Sequence, residues 1–438
     1  MVSKNKIDEI KLGILGLGNY IGGYIEVLKE HPLVTYVSAA EKMEQRRDRY
    51  SEYGIIQNVY ADFDEMLEKD KEINCIAVFS QRHQHGEQII KALNAGKHVM
   101  CAVPMGITLD EIREIVRLVE EKDLIFMMFE TCYYWPCAVW AREKFKTGAF
   151  GEFVYGAAQY YHTIQDMFGS FNTGFNSDWK RIAGVPPMYY ATHSIGMLFS
   201  AINDHATKVS CFGFKDTQSP DIYGEGVNEW DNPFSNETAI FTMSKGGYAR
   251  INEFRRIGNV RPTSYISGIY GSDGVYENSG GRHGFSSNGT DPDERPTSKY
   301  IYEDVSKEIN TIYSADEGAT VEDINRDYRY HCGFSPIHNY QRLPKELIAL
   351  NERGLKNEDF ELTGHNGSHL LLVDDFVRAC VTGKQPFLNA WECARYTIPG
   401  IIAHDSAMQG GISLDIPDFG DMPDKYELID FDDLHYDE

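Results

Sequence analysis

Short apolar runs alternate with helical patterns through the first third of the chain. Strands that alternate with helices predict a parallel, doubly wound sheet with right-handed crossovers, which is the α/β fold class. Ligands bind such sheets beyond the carboxyl ends of the strands. The runs of strand length lie at 11–15, 33–41, 73–80, 97–101 and 124–129.

The turn after the first of these runs carries two glycines in a G-x-G pattern. Gly16 fits a tight strand-to-helix turn, and Gly18, without a side chain, lets a pyrophosphate approach the backbone N–H groups. Ile21 replaces the third glycine of the usual fingerprint, and Gly22 follows it. We therefore predict a dinucleotide-binding turn. The residues expected to contact the dinucleotide here are Gly16, Gly18, Asn19, Tyr20 and Ile21.

An acid follows the second apolar run. Glu41 lies 23 residues after Gly18, close to the spacing of about 20 at which a carboxylate hydrogen-bonds the adenosine ribose 2′-hydroxyl. Since a carboxylate there repels a 2′-phosphate, the spacing favours NAD over NADP. The alternative is a glycine-containing turn beside a surface acid, and the order strand, turn, helix, strand, acid favours the cofactor site.

The pattern changes after Glu152, where strand-like runs rich in aromatic residues are separated by short gaps. These runs predict an open, largely antiparallel sheet with one face packed on helices. We predict a Rossmann NAD-binding domain over 1–150 and an α+β domain for substrate binding and oligomerisation over 151–438. The runs lie at 153–161, 208–214, 238–244, 248–254 and 264–270.

The last third of the chain is less regular. Residues 279–345 are rich in Gly, Ser, Asn, Asp and Pro, which predicts a long loop insertion that serves as a lid or an oligomer arm. Helices follow at 370–381 and at 389–408, the second interrupted near Pro399. We expect the helices within 367–408 to pack back on the sheet or on the Rossmann domain.

Charge and cysteine usage narrow the class of protein. The 438 residues include 42 basic and 66 acidic residues, for a net charge of −24. This charge argues against nucleic acid and anionic membranes as partners. No apolar stretch approaches the length of about 18 residues that a membrane span needs. The eight cysteines lack zinc spacing, so we expect reduced thiols, no metal and a cytoplasmic protein.

Polar residues and a proline lie just past the ends of the later strands of the predicted α/β sheet. They are expected to bind the cofactor, and Glu130 is also expected to anchor a sugar hydroxyl or the nicotinamide ribose. The alternative for Glu130 is an ordinary surface acid. The residues are Ser80, His83, His85, Pro104 and Glu130.

Several motifs resemble the glucose–fructose oxidoreductase, inositol dehydrogenase and MocA (Gfo/Idh/MocA) family. They are Gly16-Leu-Gly18, His85 eleven residues before Gly96-Lys-His-Val, and Gly148-Ala-Phe-Gly-Glu. The resemblance implies NAD as cofactor, a carbohydrate substrate, and a homo-oligomer, dimer or tetramer, formed through the open sheet. The family usually has Glu-Lys-Pro where this chain has Ala102-Val103-Pro104. Val103 cannot replace the lysine that hydrogen-bonds the reacting hydroxyl, and we assign Val103 and Pro104 to the cofactor site.

A branch of that family, similar to the NAD-dependent α-N-acetylgalactosaminidases, also lacks the lysine. Its Met-Met-x-Glu, Tyr-x-His and Tyr-Pro-Thr-His motifs resemble residues 127–130, 160–162 and 190–193 of this chain. Its Trp-x-x-x motif with a basic residue resembles Trp179-Lys-Arg181.

Oxidation of a secondary alcohol needs a base for the hydroxyl proton. His193 is the first candidate, because an imidazole accepts a proton near neutral pH. Tyr190, three residues earlier, is expected to reach the same hydroxyl at the domain cleft. In the wider family an aspartate precedes this histidine by four residues, and here that position is Tyr189. The alternative for His193 is a helix-cap neighbour or a core histidine, and the resemblance favours catalysis.

Tyr160 and His162 lie two apart on one predicted strand, so both face the same side. Either this side faces the cleft, with Tyr160 as acid or base for an eliminated group, or the two are ordinary aromatics of a half-wet sheet. Trp179 and Arg181 are expected to bind a polar ring, although Trp179 also suits a staple between domains. His369 is a further substrate contact or a helix cap.

Three functions remain open. The first is net oxidation of a sugar or glycoside by hydride abstraction from a ring secondary alcohol, with carbon 3 the expected position. The second is a redox-neutral glycosidase, in which oxidation at carbon 3 acidifies the hydrogen on carbon 2, the group on carbon 1 is eliminated, water adds, and the ketone is reduced again. The third is a non-catalytic NAD-binding regulator, which the missing lysine and aspartate suggest.

Overall fold

The computed structural model describes residues 3–51, 54–163, 168, 171, 179–258, 263–279, 282–288, 300–310 and 368–430. The chain divides into two compact units. The first unit comprises Met1–Thr131, Leu343–Ile398 and Asp418–Glu438, and the second comprises Cys132–Arg342 and Pro399–Pro417. The domain boundary near residue 150 stays a prediction.

The first unit contains a six-stranded sheet in which every neighbouring pair is parallel. The order β3-β2-β1-β4-β5-β6 confirms the predicted doubly wound sheet. Its central strands are buried on both faces, as a sheet covered by helices requires. The strands are β1 Ile10–Leu15, β2 Val34–Ala40, β3 Asn58–Tyr60, β4 Cys75–Val78, β5 His98–Cys101 and β6 Phe126–Met128.

Local capping fixes where the helices of this unit begin. Thr108 and Glu111 form a reciprocal capping box before α5, and the Asp62 side chain accepts the Glu65 N–H before α3. A 3₁₀ turn spans Asn19–Gly23. The helices are α1 Ile25–Glu30, α2 Glu44–Ser51, α3 Phe63–Lys69, α4 His85–Asn94 and α5 Leu109–Lys122, with Ser368–Thr382 from the end of the chain.

The second unit contains a nine-stranded sheet in the order β14-β13-β12-β11-β7-β10-β9-β8-β15. All described neighbours are antiparallel except β7 and β10, which confirms the open, largely antiparallel sheet. The strands are β7 Phe153–Tyr161, β8 Ala206–Lys215, β9 Phe234–Met243, β10 Tyr248–Phe254, β11 Ser264–Gly271, β12 Gly274–Ser279, β13 Arg282–Asn288, β14 Tyr300–Asp304 and β15 Leu414–Asp415.

Helices cover one face of this sheet. The helix Thr192–Ile202 is buried along its whole length. Alternate residues of the strands face it, and the residues between them lie on the other face, where Phe212 and Tyr248 are more than half exposed. The described helices of both units after α5, in chain order, are α6 Pro136–Lys146, α7 Trp179–Ala183, α8 Thr192–Ile202, α9 Ser306–Asn310, α10 Ser368–Thr382 and α11 Ala390–Met408.

Two expectations for the last third are corrected. Within 279–345, residues 282–288 and 300–304 are strands of the open sheet rather than loop, and the remainder after Asn310 lies outside the described residues. The helix over 390–408 runs through Pro399 without a break. Of the helices that the structure describes, none has the length and apolarity needed to cross a membrane.

Candidate active site

The glycine turn of the first unit is shaped by a close backbone approach. Gly16 has φ of +90°, and a Cβ there would lie 2.9 Å from the Phe79 carbonyl oxygen. Only glycine fits this position without strain. A Cβ on Gly18 would meet only the Arg46 Nη1, at 3.9 Å. The backbone at Gly18 is therefore open to a large anionic ligand, as a dinucleotide pyrophosphate requires.

The residues after the turn differ in what they offer. Ile21 is fully buried, so only its backbone faces the turn. Tyr20 shares a 2.8 Å hydrogen bond with the Tyr24 hydroxyl and packs edge-on against Phe79. Asn19 lies in the 3₁₀ turn that replaces the start of the predicted helix. These positions fit a nucleotide, and their assignment to the cofactor stays a prediction.

Glu41 is buried at the end of β2. Its Oε2 accepts the Leu17 N–H at 2.8 Å, and its Oε1 accepts the Met43 N–H at 2.9 Å. The Arg46 guanidinium lies 3.8 Å from Oε2. The carboxylate thus fixes the glycine turn against the second strand. Because each carboxylate oxygen accepts more than one hydrogen bond, Glu41 retains acceptor capacity for a ribose hydroxyl.

His85 lies at the start of α4 and joins two strand ends. Its Nδ1 lies 2.7 Å from the Pro104 carbonyl oxygen and its Nε2 3.1 Å from the Ser80 carbonyl oxygen. Burial lowers the pKa of His85 to about 4, against the opposite effect of the two carbonyls, so the ring is neutral. Because a neutral imidazole has one N–H, His85 donates to only one of these two carbonyls, and its ring packs between the Ser80 and Pro104 backbones where a cofactor is expected.

The neighbouring predicted cofactor residues differ in exposure. Val103 and Pro104 are buried, while His83 is half-buried in the 3₁₀ turn before α4. The Ser80 hydroxyl donates to the Gln88 side chain at 2.5 Å. Glu130, just past β6, is fully buried, which excludes the ordinary surface acid.

His369 lies at the start of α10 and contacts the glycine turn. Its ring stacks on Tyr24 with centroids 3.8 Å apart, and its Nδ1 lies 2.9 Å from the Gly23 carbonyl oxygen. Burial lowers the pKa of His369 to about 4. The described contacts of His369 thus fix the residues after the nucleotide turn, and its role toward substrate stays a prediction.

The second unit brings together three of the predicted catalytic residues. The ring of His193, in the first turn of α8, lies 5.1 Å from the Tyr160 ring and 5.0 Å from the Tyr190 ring, centroid to centroid. The two tyrosine rings lie 5.7 Å apart. Tyr160 and His193 are buried, and Tyr190 is half-buried. We call Tyr160, Tyr190 and His193 the tyrosine–histidine cluster.

His162 extends this cluster along β7. The Tyr160 hydroxyl and the His162 Nδ1 are 2.6 Å apart, a short hydrogen bond. Burial raises the pKa of the Tyr160 phenol well above its usual value, and the neighbouring Tyr190 raises it further. The phenol therefore holds its proton and is suited to donate it to His162 or to a substrate oxygen.

Two charged residues lie beside the tyrosine–histidine cluster and were not predicted from the sequence as site residues. The Arg255 guanidinium carbon lies 4.8 Å from the centre of the Tyr160 ring and 5.6 Å from that of Tyr190. Glu253 accepts from Arg255 Nη2 at 3.0 Å, and both side chains are buried. The sequence does contain a signal for Glu253. Alternate residues of a strand share one face, so Glu253 lies on the same covered face of β10 as the apolar Ala249 and Ile251.

The other predicted substrate residues have different surroundings. Trp179 packs on Phe168, in a small apolar cluster with Phe171 and Tyr223. Arg181 is half exposed and pairs with Glu229 at 2.7 Å. These contacts hold the helix α7 in place, and a contact of either residue with substrate stays a prediction.

The described ring contact of Tyr189, the residue four before His193, is with His404. Its ring lies edge-on against His404, 5.3 Å between centroids, and the His404 Nδ1 lies 2.8 Å from Glu237 Oε1. Glu237 Oε2 accepts the Met188 N–H at 2.8 Å. This buried acid therefore fixes the 3₁₀ turn Pro187–Tyr190, which carries Tyr190.

Comparisons with known proteins show which families and folds the chain resembles. Residues 10–130 match the Gfo/Idh/MocA oxidoreductase family, NAD-binding Rossmann fold. A glycosyl hydrolase family 109 protein of Bacteroides thetaiotaomicron is 22% identical over 422 residues, 88% of this chain and 88% of that protein. A protein of the same name from Saccharopolyspora erythraea is 21% identical over 294 residues, 62% of this chain and 63% of that protein. Levoglucosan dehydrogenase, solved with NADH and levoglucosan, has a TM-score of 0.64 and 15% identity over 94% of this chain and 100% of its own, which shows the fold.

Proposed function

We propose that the protein is an NAD-dependent enzyme that removes hydride from a ring secondary alcohol of a sugar or glycoside. Its residues 10–130 match the Gfo/Idh/MocA oxidoreductase family with an NAD-binding Rossmann fold. The observation that carries the proposal is the tyrosine–histidine cluster, in which a buried imidazole contacts two phenol rings that also contact each other. Carbohydrate names among the relatives support the substrate class.

The residues of the first unit fit NAD. Gly16 and Gly18 admit the pyrophosphate, and Glu41 offers an acceptor for the adenosine ribose. Bound NAD supplies the hydride acceptor and, in a redox-neutral cycle, the hydride that reduces the ketone at the end.

The second unit supplies the proton chemistry. His193 takes the proton of the reacting hydroxyl, and Tyr190 hydrogen-bonds the same oxygen as its charge develops. Val103, at the position of the family lysine, leaves this proton transfer to His193. The buried cluster excludes bulk water, which strengthens each of these interactions.

The Tyr160–His162 pair favours a second candidate, redox-neutral cleavage of a glycoside. A 3-keto sugar has an acidic hydrogen on carbon 2, so elimination needs one group that takes this proton and one that protonates the leaving oxygen. Tyr160, which holds its proton, suits the second role, and His193 suits the first once it has released the carbon-3 hydroxyl proton to solvent; it takes a proton back before the ketone is reduced. Addition of water to the resulting enone and reduction of the ketone complete the cycle with no net oxidation.

The exposed aromatic side chains on the outer face of the open sheet support a homo-oligomer formed through that face, which we include in the proposal. The buried free cysteines support a reducing compartment, and we propose the cytoplasm.

The test is a panel of glycosides and free sugars incubated with the full chain and NAD and scored for both NADH and released aglycone. NADH in stoichiometric amounts supports net oxidation, and aglycone without net NADH supports the redox-neutral cycle. NAD binding with neither product on the whole panel overturns the enzyme and favours the regulator.

His193→Asn removes the base while keeping a side chain of similar shape. We expect kcat to fall by roughly 10²–10⁴-fold, the usual contribution of general base catalysis, with NAD affinity unchanged. His205→Asn, a half-buried histidine just before β8, is the matched control and is expected to retain activity. Equal activity of the two variants would exclude His193 as the base.

A further inference from the structure

Arg255 joins the elements that carry the tyrosine–histidine cluster. Its guanidinium lies against the faces of Tyr160 on β7 and Tyr190 in the turn before α8. Its Nη2 also lies 3.5 Å from the Pro187 carbonyl oxygen, in the same turn as Tyr190. One planar cation therefore touches both of the elements that present phenols.

Glu253 holds the Arg255 guanidinium in place. Its Oε2 accepts from Arg255 Nη2 at 3.0 Å, and its Oε1 accepts the hydroxyl hydrogen of Ser194, the residue next to His193. Glu253 is fully buried, and Arg255 is 4% exposed. A buried ion pair is costly unless its geometry and hydrogen bonds are good, so a pair kept at this place is a candidate for a role beyond folding.

We infer that Arg255, held by Glu253, is a positioning residue for the proposed sugar chemistry: its guanidinium fixes the Tyr160 and Tyr190 rings and stabilises the negative charge that the Tyr160 oxygen gains when it gives up its proton in the redox-neutral cycle. The inference deepens the proposed function and rests on it for its kinetic consequences. The electrostatic part concerns one phenol and is measurable without substrate.

Within the second unit, each element that packs on Tyr160 contributes charged or titratable groups around it. Burial and the neighbouring Tyr190 raise the pKa of Tyr160, Arg255 lowers it, and Glu253 raises it. The two members of the ion pair thus act on the phenol with opposite signs. The groups are Cys132, His162, Tyr190, His193, Glu253 and Arg255.

These opposite signs give a test, because a pair with only a structural role would not move the titration midpoint of Tyr160 in opposite directions when one or the other charge is removed. In the full chain, Tyr160 is replaced by a fluorinated tyrosine, whose phenol is more acidic and titrates within an accessible pH range. The midpoint is followed by fluorine NMR. We expect Arg255→Met to raise the midpoint by about one pH unit or more, as loss of a cation at this distance does. Glu253→Gln is expected to lower it.

Arg250→Met is the matched control. Arg250 lies five residues earlier on β10, on the opposite face of the sheet by alternation, so the change in charge is the same. We expect it to leave the midpoint unchanged. A midpoint that moves no further in Arg255→Met than in Arg250→Met, or that moves the same way in Glu253→Gln and Arg255→Met, overturns the inference.

Arg255→Lys separates charge from shape. Lysine keeps the charge without the planar fork, so we expect a midpoint near that of the parent chain and a fall in kcat of roughly tenfold or more, with a smaller change in KM. A kcat equal to that of the parent overturns the positioning role. If the parent chain turns over no substrate, the proposed function fails, while the fluorine titration still decides whether Arg255 stabilises the phenolate.

Discussion

Glu41 has a structural role and a proposed binding role at the same time. Both of its oxygens accept backbone N–H groups, one from the glycine turn and one from the start of the next helix. Sequence spacing predicted the acid beside the turn, but the Leu17 hydrogen bond depends on how β1 and β2 pair in register, whereas the Met43 bond is local. The proposed ribose contact therefore uses a carboxylate that is already fixed.

Glu41→Gln tests this residue. The amide presents an NH₂ group to one of the two N–H donors and loses the charge, so we expect NAD affinity to fall about tenfold, the value of one hydrogen bond to a charged group. Discrimination against NADP is expected to weaken as well. Calorimetric titration with both dinucleotides measures the ratio. Glu44→Gln, an exposed acid in the first turn of α2, is the control, and an unchanged NAD-to-NADP ratio in Glu41→Gln would remove the assignment.

At the scale of elements, the sequence predicted those strands and helices whose formation depends mainly on nearby residues. The five strand-like runs of the second unit were predicted and are confirmed as strands. The helix expected directly after Gly18 is instead a 3₁₀ turn followed by a short helix, and the pair Gly22–Gly23 gives a physical reason, because adjacent glycines have low helix propensity.

The strands and contacts that were not predicted depend on pairing between segments far apart in the chain. β13 contains few strand-forming residues, and its pairing with β12 on one side and β14 on the other makes it a strand. The Glu253–Arg255 pair meets Tyr160 only because β10 and β7 pair with Glu253 opposite Tyr160. A single sequence predicts each strand but does not fix this register.

Gly16→Ala tests the turn as an element. A Cβ at φ of +90° and 2.9 Å from the Phe79 carbonyl oxygen strains the end of β1 against the end of β4. We expect a loss of about 1–3 kcal/mol in the free energy of unfolding, together with weaker NAD binding. Urea unfolding measures the first and calorimetry the second. In Gly22→Ala the new methyl meets open space, and we expect a much smaller loss. Equal losses in the two variants would contradict this account of the turn.

At the scale of the whole molecule, buried neutral histidines make the fold sensitive to acid. Burial lowers the pKa of four histidines to about 4, below the usual value near 6.5. The unfolded chain therefore binds more protons than the folded chain between these values. Stability is fully present above about pH 6.5 and is lost as the pH falls toward 4. The four are His85, His98, His283 and His369.

His98 gives the sharpest test of this linkage. Its Nδ1 accepts the Ile125 N–H at 2.9 Å and its Nε2 lies 2.9 Å from the Asn5 carbonyl oxygen, so one neutral tautomer satisfies both partners. Protonation of Nδ1 breaks the first bond. We expect His98→Gln, which offers both an acceptor and a donor without titrating, to reduce the slope of unfolding free energy against pH by about one proton between pH 6.5 and 4. Urea unfolding over this range measures the slope.

The acidic surface is the competing cause of any pH dependence. With a net charge of −24, acidification relieves repulsion between carboxylates and raises stability, opposite to the histidine effect. Neither His98→Gln nor His205→Gln changes the net charge at neutral pH. The surface carboxylates therefore contribute the same pH dependence to both variants. A slope that falls equally in both variants would contradict the assignment of the acid sensitivity to the buried ring of His98. A smaller slope in His98→Gln alone places it at the buried ring between β5 and the N-terminal segment.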